Sequence, residues 1–497
     1  MGNSLAISPH PEATALGNRL LAEGSSAAEA AVAMGAYLSV AMPHFCGLGG
    51  DAVWMTTDAG GRVRSLTGIG HAFAFADRIS QIEQRGPRSI LTSAAAVSTW
   101  AAALSLSGVS APDLARLLGP ARQAARDGIE VTPSQEFWRA MRAPESATWL
   151  GFSRYNEAST GSLLKQPALA QSLEVLMEEG LHSFYTGTLA ERIRADLADI
   201  GVVVAADDLK ATSCEVGDGL SLPYRNVTLH APPLPTQGVT TLEIMGILDR
   251  LGRPETAVDN YHLMVEAVKC AFLDRQQIDD SGQAAHLPSL LLSAEHLTSR
   301  ANEVDRARAR EWPHVFQAAD TVYFAARDQA GRCVSALQST YFDWGSGCCL
   351  DRSGIIWHNR GASFSLKAGP NRLAPGRRPF HTLNPGIALK DGKPWLLYGT
   401  QGADGQPQTL TVLLRHCIDL DMAPAEALAA PRFLLGRTFS DSRDTLKLEP
   451  TGFEAELLEK GHDISPLSPL SPLAGQAGII RIENDLPQGG HDPRKSL

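Results

Sequence analysis

The sequence predicts a layered α+β protein. Three observations carry this. Helix-rich stretches at 11–42, 96–145 and 165–200 precede a strand-rich block that opens near Thr321. The short apolar runs of that block are separated by Gly-rich turns. More helix follows from 406 onward.

In chain order, 11–42 is Ala-rich with amphipathic helical spacing, broken at Gly24-Ser25-Ser26. Ser26 suits an N-cap, and Glu29 stands at capping-box spacing, so a second helix is expected to start there. The turn Cys46-Gly47-Leu48-Gly49-Gly50-Asp51 leads into a strand at Ala52-Val53-Trp54-Met55. The turn superficially resembles a phosphate loop, but no Lys-Ser/Thr follows it. A tight turn with close backbone approach is the better reading. Segments 96–145 and 165–200 read as mostly helical, the latter broken at Gly180. Residues 259–275 form another helix, with Leu263, Val265, Val268, Ala271 and Phe272 apolar. The polar stretch 278–318 reads as an exposed connector. From Thr321, Val322-Tyr323-Phe324-Ala325-Ala326 reads as a strand, Asp328-Gln329-Ala330-Gly331 as a turn, and 334–339 as the returning strand. Short strands continue to about 402, with helices at 406–419 and 424–429. The Ser-Pro-Leu triplets at 465–473 read as an extended loop.

A chain of 497 residues, 44% hydrophobic and 20% charged, can bury a large core. Its net charge of −10 argues against general nucleic-acid binding, which needs a basic surface. Seven scattered cysteines without a CxxC pair read as reduced thiols. The N-terminus has no basic region followed by an apolar run, and no segment approaches an uninterrupted membrane span. Together these features are read as a cytoplasmic protein with no membrane partner. No His pair stands at i, i+4 beside a Glu, and neither a G-x-S-x-G elbow nor a P-loop occurs. A Thr opening a hairpin suits a pleated surface and is no catalytic signal by itself.

Several motifs in order say more. The N-terminal half holds Ser8-Pro9-His10-Pro11, Pro43-His44 with Gly47-Leu48-Gly49-Gly50, Phe184-Tyr185-Thr186-Gly187, Pro232-Pro233 with Gln237-Gly238-Val239-Thr240, and Phe272-Leu273-Asp274-Arg275. The C-terminal half holds Asp320-Thr321-Val322-Tyr323, Gly345-Ser346-Gly347, the run from Asn359 to Phe364, the run from Arg378 to Pro385, and the run from Gly399 to Asp404. Together they resemble the γ-glutamyltransferase superfamily of N-terminal nucleophile hydrolases over nearly the whole chain.

The resemblance implies a four-layer αββα sandwich. It also implies maturation by attack of a Thr hydroxyl on its own preceding carbonyl, which would split the chain between Asp320 and Thr321. A large chain, 1–320, and a small chain, 321–497, would then form one interlocked domain. The implied chemistry is coherent. A Thr hydroxyl is a poor nucleophile without a base. A freed α-amine, with a reference pKa of about 7.7–8.0, can take the hydroxyl proton directly or through a water. By position, Ser339 matches a family Thr that contacts the new amine. Gly402 and Ala403 match the pair whose N–H groups form the oxyanion hole; without the resemblance they read as an ordinary turn. Ala in place of Gly keeps the N–H, and matters only if the position needs φ > 0. No metal or organic cofactor is implied.

The departures cluster where a γ-glutamyl group would be held. Ile69 stands in place of an Arg that grips the substrate α-carboxylate, and an Ile cannot make a bidentate charged pair. Ser363 replaces a carboxylate that holds the substrate amine, Tyr341 an Asn, Arg360 a Gln, and His381 and Thr382 two Ser. A site without its charged grips should bind glutamyl amides poorly. The altered pattern is similar to the branch that contains oxamate amidohydrolase. It implies a small carboxylate-bearing amide as substrate, with Tyr341, Arg360, His381 and Thr382 lining the pocket. Arg360 reads equally as a structural cation paired with an acid. A γ-glutamyl hydrolase or transferase and a glutaryl-type acylase are alternatives. So is an uncleaved, inactive scaffold relative, since Tyr323 stands where many relatives have His. A homo-oligomer is left open.

Overall fold

The structure, a computed structural model, describes residues 2–108, 111–312, 320–438 and 441–494, with Asp320 described through its backbone alone. Local signals set its first helices. Ser26 accepts from the Glu29 N–H at 3.2 Å, and the Glu29 carboxylate accepts from the Ser26 N–H at 2.8 Å, closing the capping box. The helices that matter below are α1 (Pro11–Ala22), α2 (Ala27–Ala41), α3 (Ala96–Leu106), α4 (Gly238–Leu251), α5 (Ala257–Arg275) and α6 (Gln406–Leu414).

Twelve strands form two six-stranded sheets. They are β1 (Leu5–Ile7), β2 (Asp51–Thr57), β3 (Val63–Gly68), β4 (Glu215–Gly217), β5 (Leu220–Tyr224), β6 (Val227–Ala231), β7 (Asp320–Arg327), β8 (Cys333–Tyr341), β9 (Gly386–Lys390), β10 (Lys393–Thr400), β11 (Ala477–Glu483) and β12 (Leu486–His491). One sheet runs β1-β7-β8-β2-β3-β4 and the other β12-β11-β10-β9-β6-β5. Each therefore mixes strands from before and after Thr321.

Side-chain alternation builds the layers. On one face of the first sheet, Val53, Met55, Tyr323, Ala325 and Leu337 meet Ile387, Leu397, Ile480 and Ile482 of the second sheet. On its other face, Trp54, Phe324 and Ala336 pack against α2 and α3. Helices α4, α5 and α6 cover the outer face of the second sheet. This is the four-layer αββα sandwich. Tyr323 fits between the sheets because Gly399 and Gly478 face it; a Cβ at either would come within 2.2 and 2.7 Å of its ring.

Several readings change. Helix α2 is not amphipathic, because every residue is buried between the first sheet and the helix over Leu114–Asp127. The connector carries helices at Leu287–Leu291 and Ala294–Asn302, and buried Leu297 sits against Gly246 of α4. Its residues 313–319 lie outside the described residues. The stretch 406–419 becomes α6 plus a π-helical turn at Arg415–Asp419. The Ser-Pro-Leu segment opens as a short strand, Ile464–Pro466, parallel to Thr445–Leu448.

Candidate active site

Thr321 is the second residue of β7 and is 1% exposed. Strand alternation puts it on the face of Tyr323 and Ala325, between the sheets. Opposite it the β7–β8 register slips: Val322 pairs with Gln338, but Asp320 pairs with Tyr341. Ser339 and Thr340 thus face Thr321 across a β-bulge, a device that re-aims side chains next to active sites. The bulge is held from three sides. The Ser339 hydroxyl accepts from the Tyr341 N–H at 2.9 Å, Thr340 donates to the Phe45 carbonyl at 3.1 Å, and Phe342 donates to the Asn359 side chain at 3.1 Å. The Gly-rich turn lies directly behind it. A Cβ on Gly50 would stand 2.3 Å from the Ser339 carbonyl, so close approach explains this turn. Tyr341, leaving the bulge, has φ +79°, a strained conformation for a non-glycine residue.

Gly402 and Ala403 turn the chain from β10 into α6. Both are left-handed, at φ +111° and +43°. The Gly402 carbonyl accepts from the Gly405 N–H at 2.6 Å. The shared peptide therefore points its oxygen into the turn and the Ala403 N–H out of it. Neither the Gly402 nor the Ala403 N–H has an acceptor among the described residues. Two successive unpaired N–H groups are what an oxyanion hole requires.

Arg360 opens a single 3₁₀ turn and is 1% exposed. Its guanidinium carbon lies 4.0 Å from the Tyr341 ring centroid, and Tyr341 packs against Ala403. One terminal nitrogen reaches the Thr382 hydroxyl at 3.4 Å, and the other donates to the Phe380 carbonyl. Its Nε is buried without an acceptor. No carboxylate lies within 4.0 Å of the group among the described residues. Burial lowers its pKa, yet a guanidinium stays protonated. Asp51 and Asp404 favour its charge from beyond direct ion-pair distance.

His381 and Thr382 take different parts. Thr382 orients Arg360. His381 is 1% exposed and has both ring nitrogens engaged: Nδ1 accepts from the Leu383 N–H at 3.3 Å, which leaves Nε2–H to face Asp51 Oδ2, also at 3.3 Å. Its nitrogens thus serve the protein. Burial, then the nearby Arg360 charge, push its pKa down to about 4, against the pull of Asp51. Asp51 pairs in register with Ser339. Its Oδ1 accepts from the Gly70 and Ala95 N–H groups at 2.9 and 3.1 Å, and His358 Nδ1 stands 3.5 Å from Oδ2. Burial opposes its charge, but the two histidines and the Gly70 N–H together hold the carboxyl below its ordinary value. Sequence reasoning quoted Asp51 only as the end of a turn and missed this cluster.

Ile69 is buried in the core between the sheets, and the Ser363 hydroxyl donates to the Arg360 carbonyl at 3.0 Å. Two clusters of metal-capable side chains occur among the described residues, His262/Glu266/His462 and Glu243/Asp274/His296. Each already holds a cation of the protein: Lys269 on Glu266, and Arg300 on Asp274. No helix among the described residues is long and apolar enough to cross a membrane.

The chain resembles known proteins over nearly its whole length. The family profile described as gamma-glutamyltranspeptidase matches residues 13–497. The chain is 39% identical to the oxamate amidohydrolase proenzyme of Klebsiella pneumoniae, over 99% of this chain and 97% of the relative. It is 35% identical to the glutathione hydrolase-like YwrD proenzyme of Bacillus subtilis, with the same coverage. Among solved structures, the cephalosporin acylase from Bacillus halodurans superposes with a TM-score of 0.90 at 28% identity, covering 100% of this chain and 95% of that one.

Proposed function

We propose, since the chain belongs to the gamma-glutamyltranspeptidase family, that it is a self-processing amidohydrolase acting on a small carboxylate-bearing amide of the oxamate type. In processing, the Thr321 hydroxyl attacks the Asp320 carbonyl and the resulting ester hydrolyses, giving chains 1–320 and 321–497. In turnover, the freed α-amine takes the hydroxyl proton as Thr321 attacks the substrate carbonyl. The Gly402 and Ala403 N–H groups receive the oxyanion. The C–N bond breaks, the leaving amine takes the proton from the ammonium, and water releases the acid from the ester. Ser339 meets the new amine.

The observation that carries the substrate class is Arg360. A buried guanidinium with no carboxylate within 4.0 Å among the described residues, and with an Nε that has no acceptor there, lies one aromatic ring from Ala403 of the oxyanion turn, while Asp51 and Asp404 act on it only from further away. A buried charge without a direct ion pair among the described residues is costly, and a substrate carboxylate would offset that cost. The short path from Arg360 through Tyr341 to Ala403 favours an acyl group whose carboxylate lies close to the scissile carbonyl. The relative named as an oxamate amidohydrolase agrees with this. A glutaryl-type acylase is the second reading, favoured by the likeness to a cephalosporin acylase, and Arg360 would serve its carboxylate too.

The test combines intact mass under denaturing conditions with a kinetic panel. Two fragments, the smaller starting at Thr321, and Thr321-dependent hydrolysis of oxamate above glutaryl amides and γ-glutamyl anilide are expected. Best turnover of the anilide would sink the substrate class. A persistently uncut chain would sink the nucleophile and leave the inactive scaffold as the account.

A further inference from the structure

Gln237 sits at the start of α4, 0% exposed, with a side chain that touches both walls of the site. Its amide nitrogen donates to the Thr382 carbonyl at 2.7 Å and to the Ala403 carbonyl at 2.8 Å. Its main-chain N–H donates to the His381 carbonyl at 3.0 Å. Thr382 is the residue that orients Arg360, and Ala403 is half of the oxyanion turn. One planar NH₂ group therefore bridges the backbone that carries the carboxylate grip and the backbone that carries the oxyanion donors.

The amide is itself held. Arg275 donates to Gln237 Oε1 at 3.1 Å and to Asp404 Oδ1 at 2.7 Å, with its guanidinium 4.4 Å over Phe272 and 5.6 Å over Phe380. Asp404 follows Ala403 directly, so the brace closes on the turn it supports. Arg275 and Asp404 are 8% and 3% exposed. With Oε1 occupied by a cation that only donates, the NH₂ must face the two carbonyls. The amide cannot flip without losing three hydrogen bonds.

From this juxtaposition we infer that Gln237, braced by Arg275 and Asp404, sets the distance between the Arg360 grip and the Gly402–Ala403 turn, and so determines which acyl length the enzyme accepts. Gln237 is a positioning residue; it touches neither the carboxylate nor the reacting carbonyl. The inference rests on the amidohydrolase reading above. It adds a part of the protein that selects among amides of one chemical class. A mismatch of about 1 Å in such a spacing costs on the order of 100-fold in rate.

The experiment measures kcat/KM of the cleaved enzyme and its Gln237→Met variant on the monoamides of oxalic, malonic, succinic and glutaric acids, each normalised to the fraction cut at Thr321. Methionine keeps the volume and removes both hydrogen-bonding functions. The length profile should flatten, with the ratio of best to worst substrate falling at least 10-fold and kcat on the best substrate falling roughly 10- to 100-fold. Equal loss on all four amides, or no change, would overturn the inference, because a merely structural contact would not reshape the profile. Should Gln237→Met not fold or not self-cleave, Arg275→Lys carries the same test through the brace, with a smaller flattening expected and a uniform effect counting against it. If the unaltered enzyme hydrolyses none of the four in a Thr321-dependent way, the functional reading itself has failed and the inference goes with it. That outcome is separate from an active enzyme with an unchanged profile.

Discussion

Arg360 lies over Tyr341, 4.0 Å from the ring centroid, and no described carboxylate pairs with it directly, Asp51 and Asp404 acting on its charge only from further away. The cation–π contact is worth about 2 kcal/mol when desolvated, too little to offset a buried charge without help. Replacing Arg360 by Met should lower kcat/KM for a carboxylate-bearing amide by roughly 30- to 1,000-fold, the loss of about 2–4 kcal/mol of charge-assisted binding. The melting temperature should hold or rise, because a buried charge with no direct ion pair among the described residues leaves the interior. Kinetics beside a thermal melt check both signs; a lower melting temperature with unchanged kinetics would make Arg360 structural.

Ala403 at φ +43° gives a second prediction. An L-residue there costs about 1–2 kcal/mol, whereas glycine adopts it freely and pays about 0.5–1 kcal/mol in chain entropy. Ala403→Gly should therefore leave stability within about 1 kcal/mol and activity within a few-fold, since the N–H remains. Ala403→Val should lose more than about 1 kcal/mol, because a β-branched chain resists this region. Urea titration of the two variants measures the difference.

Asp51 accepts two backbone N–H groups on one oxygen and faces the Nε2–H of His381 with the other. In Asp51→Asn the side-chain NH₂ would confront that Nε2–H, and His381 cannot change tautomer without losing the Leu383 N–H. About 2–3 kcal/mol of destabilisation is expected. Because Asp51 pairs with Ser339 across the sheet, self-cleavage should slow as well. A denaturation curve and a cleavage time course test this together.

These clusters separate what the sequence could express from what it could not. The Ser26–Glu29 box, the Thr321 hairpin and the break at Gly180 rest on neighbours a few residues apart, so their spacing was legible. The Asp51–His381 contact joins residues 330 positions apart, and nothing in either local segment announces it. Arg360 was ambiguous for a related reason: whether a cation has an acidic partner is decided by tertiary contacts. Ala403 shows the intermediate case. The question of its φ could be posed from the residue type, but only the backbone answered it. Helix α2 misled because its Ala-rich spacing looked one-sided, while small residues also suit burial on all sides.

Buried histidines set the response to pH. Burial first of all pushes His381 and His416 down to about 4, and His44 and His462 to about 3. Their unfolded value is near 6.5. Between those limits the unfolded chain binds more protons than the folded one, so stability is full above pH 6.5 and falls as the pH drops toward 4. Melting temperatures measured from pH 7.5 to 4.5 should decline steadily, and His381→Gln should decline less steeply than the unaltered protein.

The interleaving of strands from both sides of Thr321 constrains the order of events in time. Neither half can complete a sheet alone, since β7 and β8 lie between β1 and β2 while β6 and β5 continue from β9. The chain has to reach its native topology while still continuous. A cut made afterwards leaves two pieces locked by shared sheets. Once unfolded, an uncut molecule refolds by itself, but the two pieces must first find each other. Recovery of the cut form would therefore depend on concentration, and its persistence would be governed by how slowly it opens rather than by an equilibrium it can revisit.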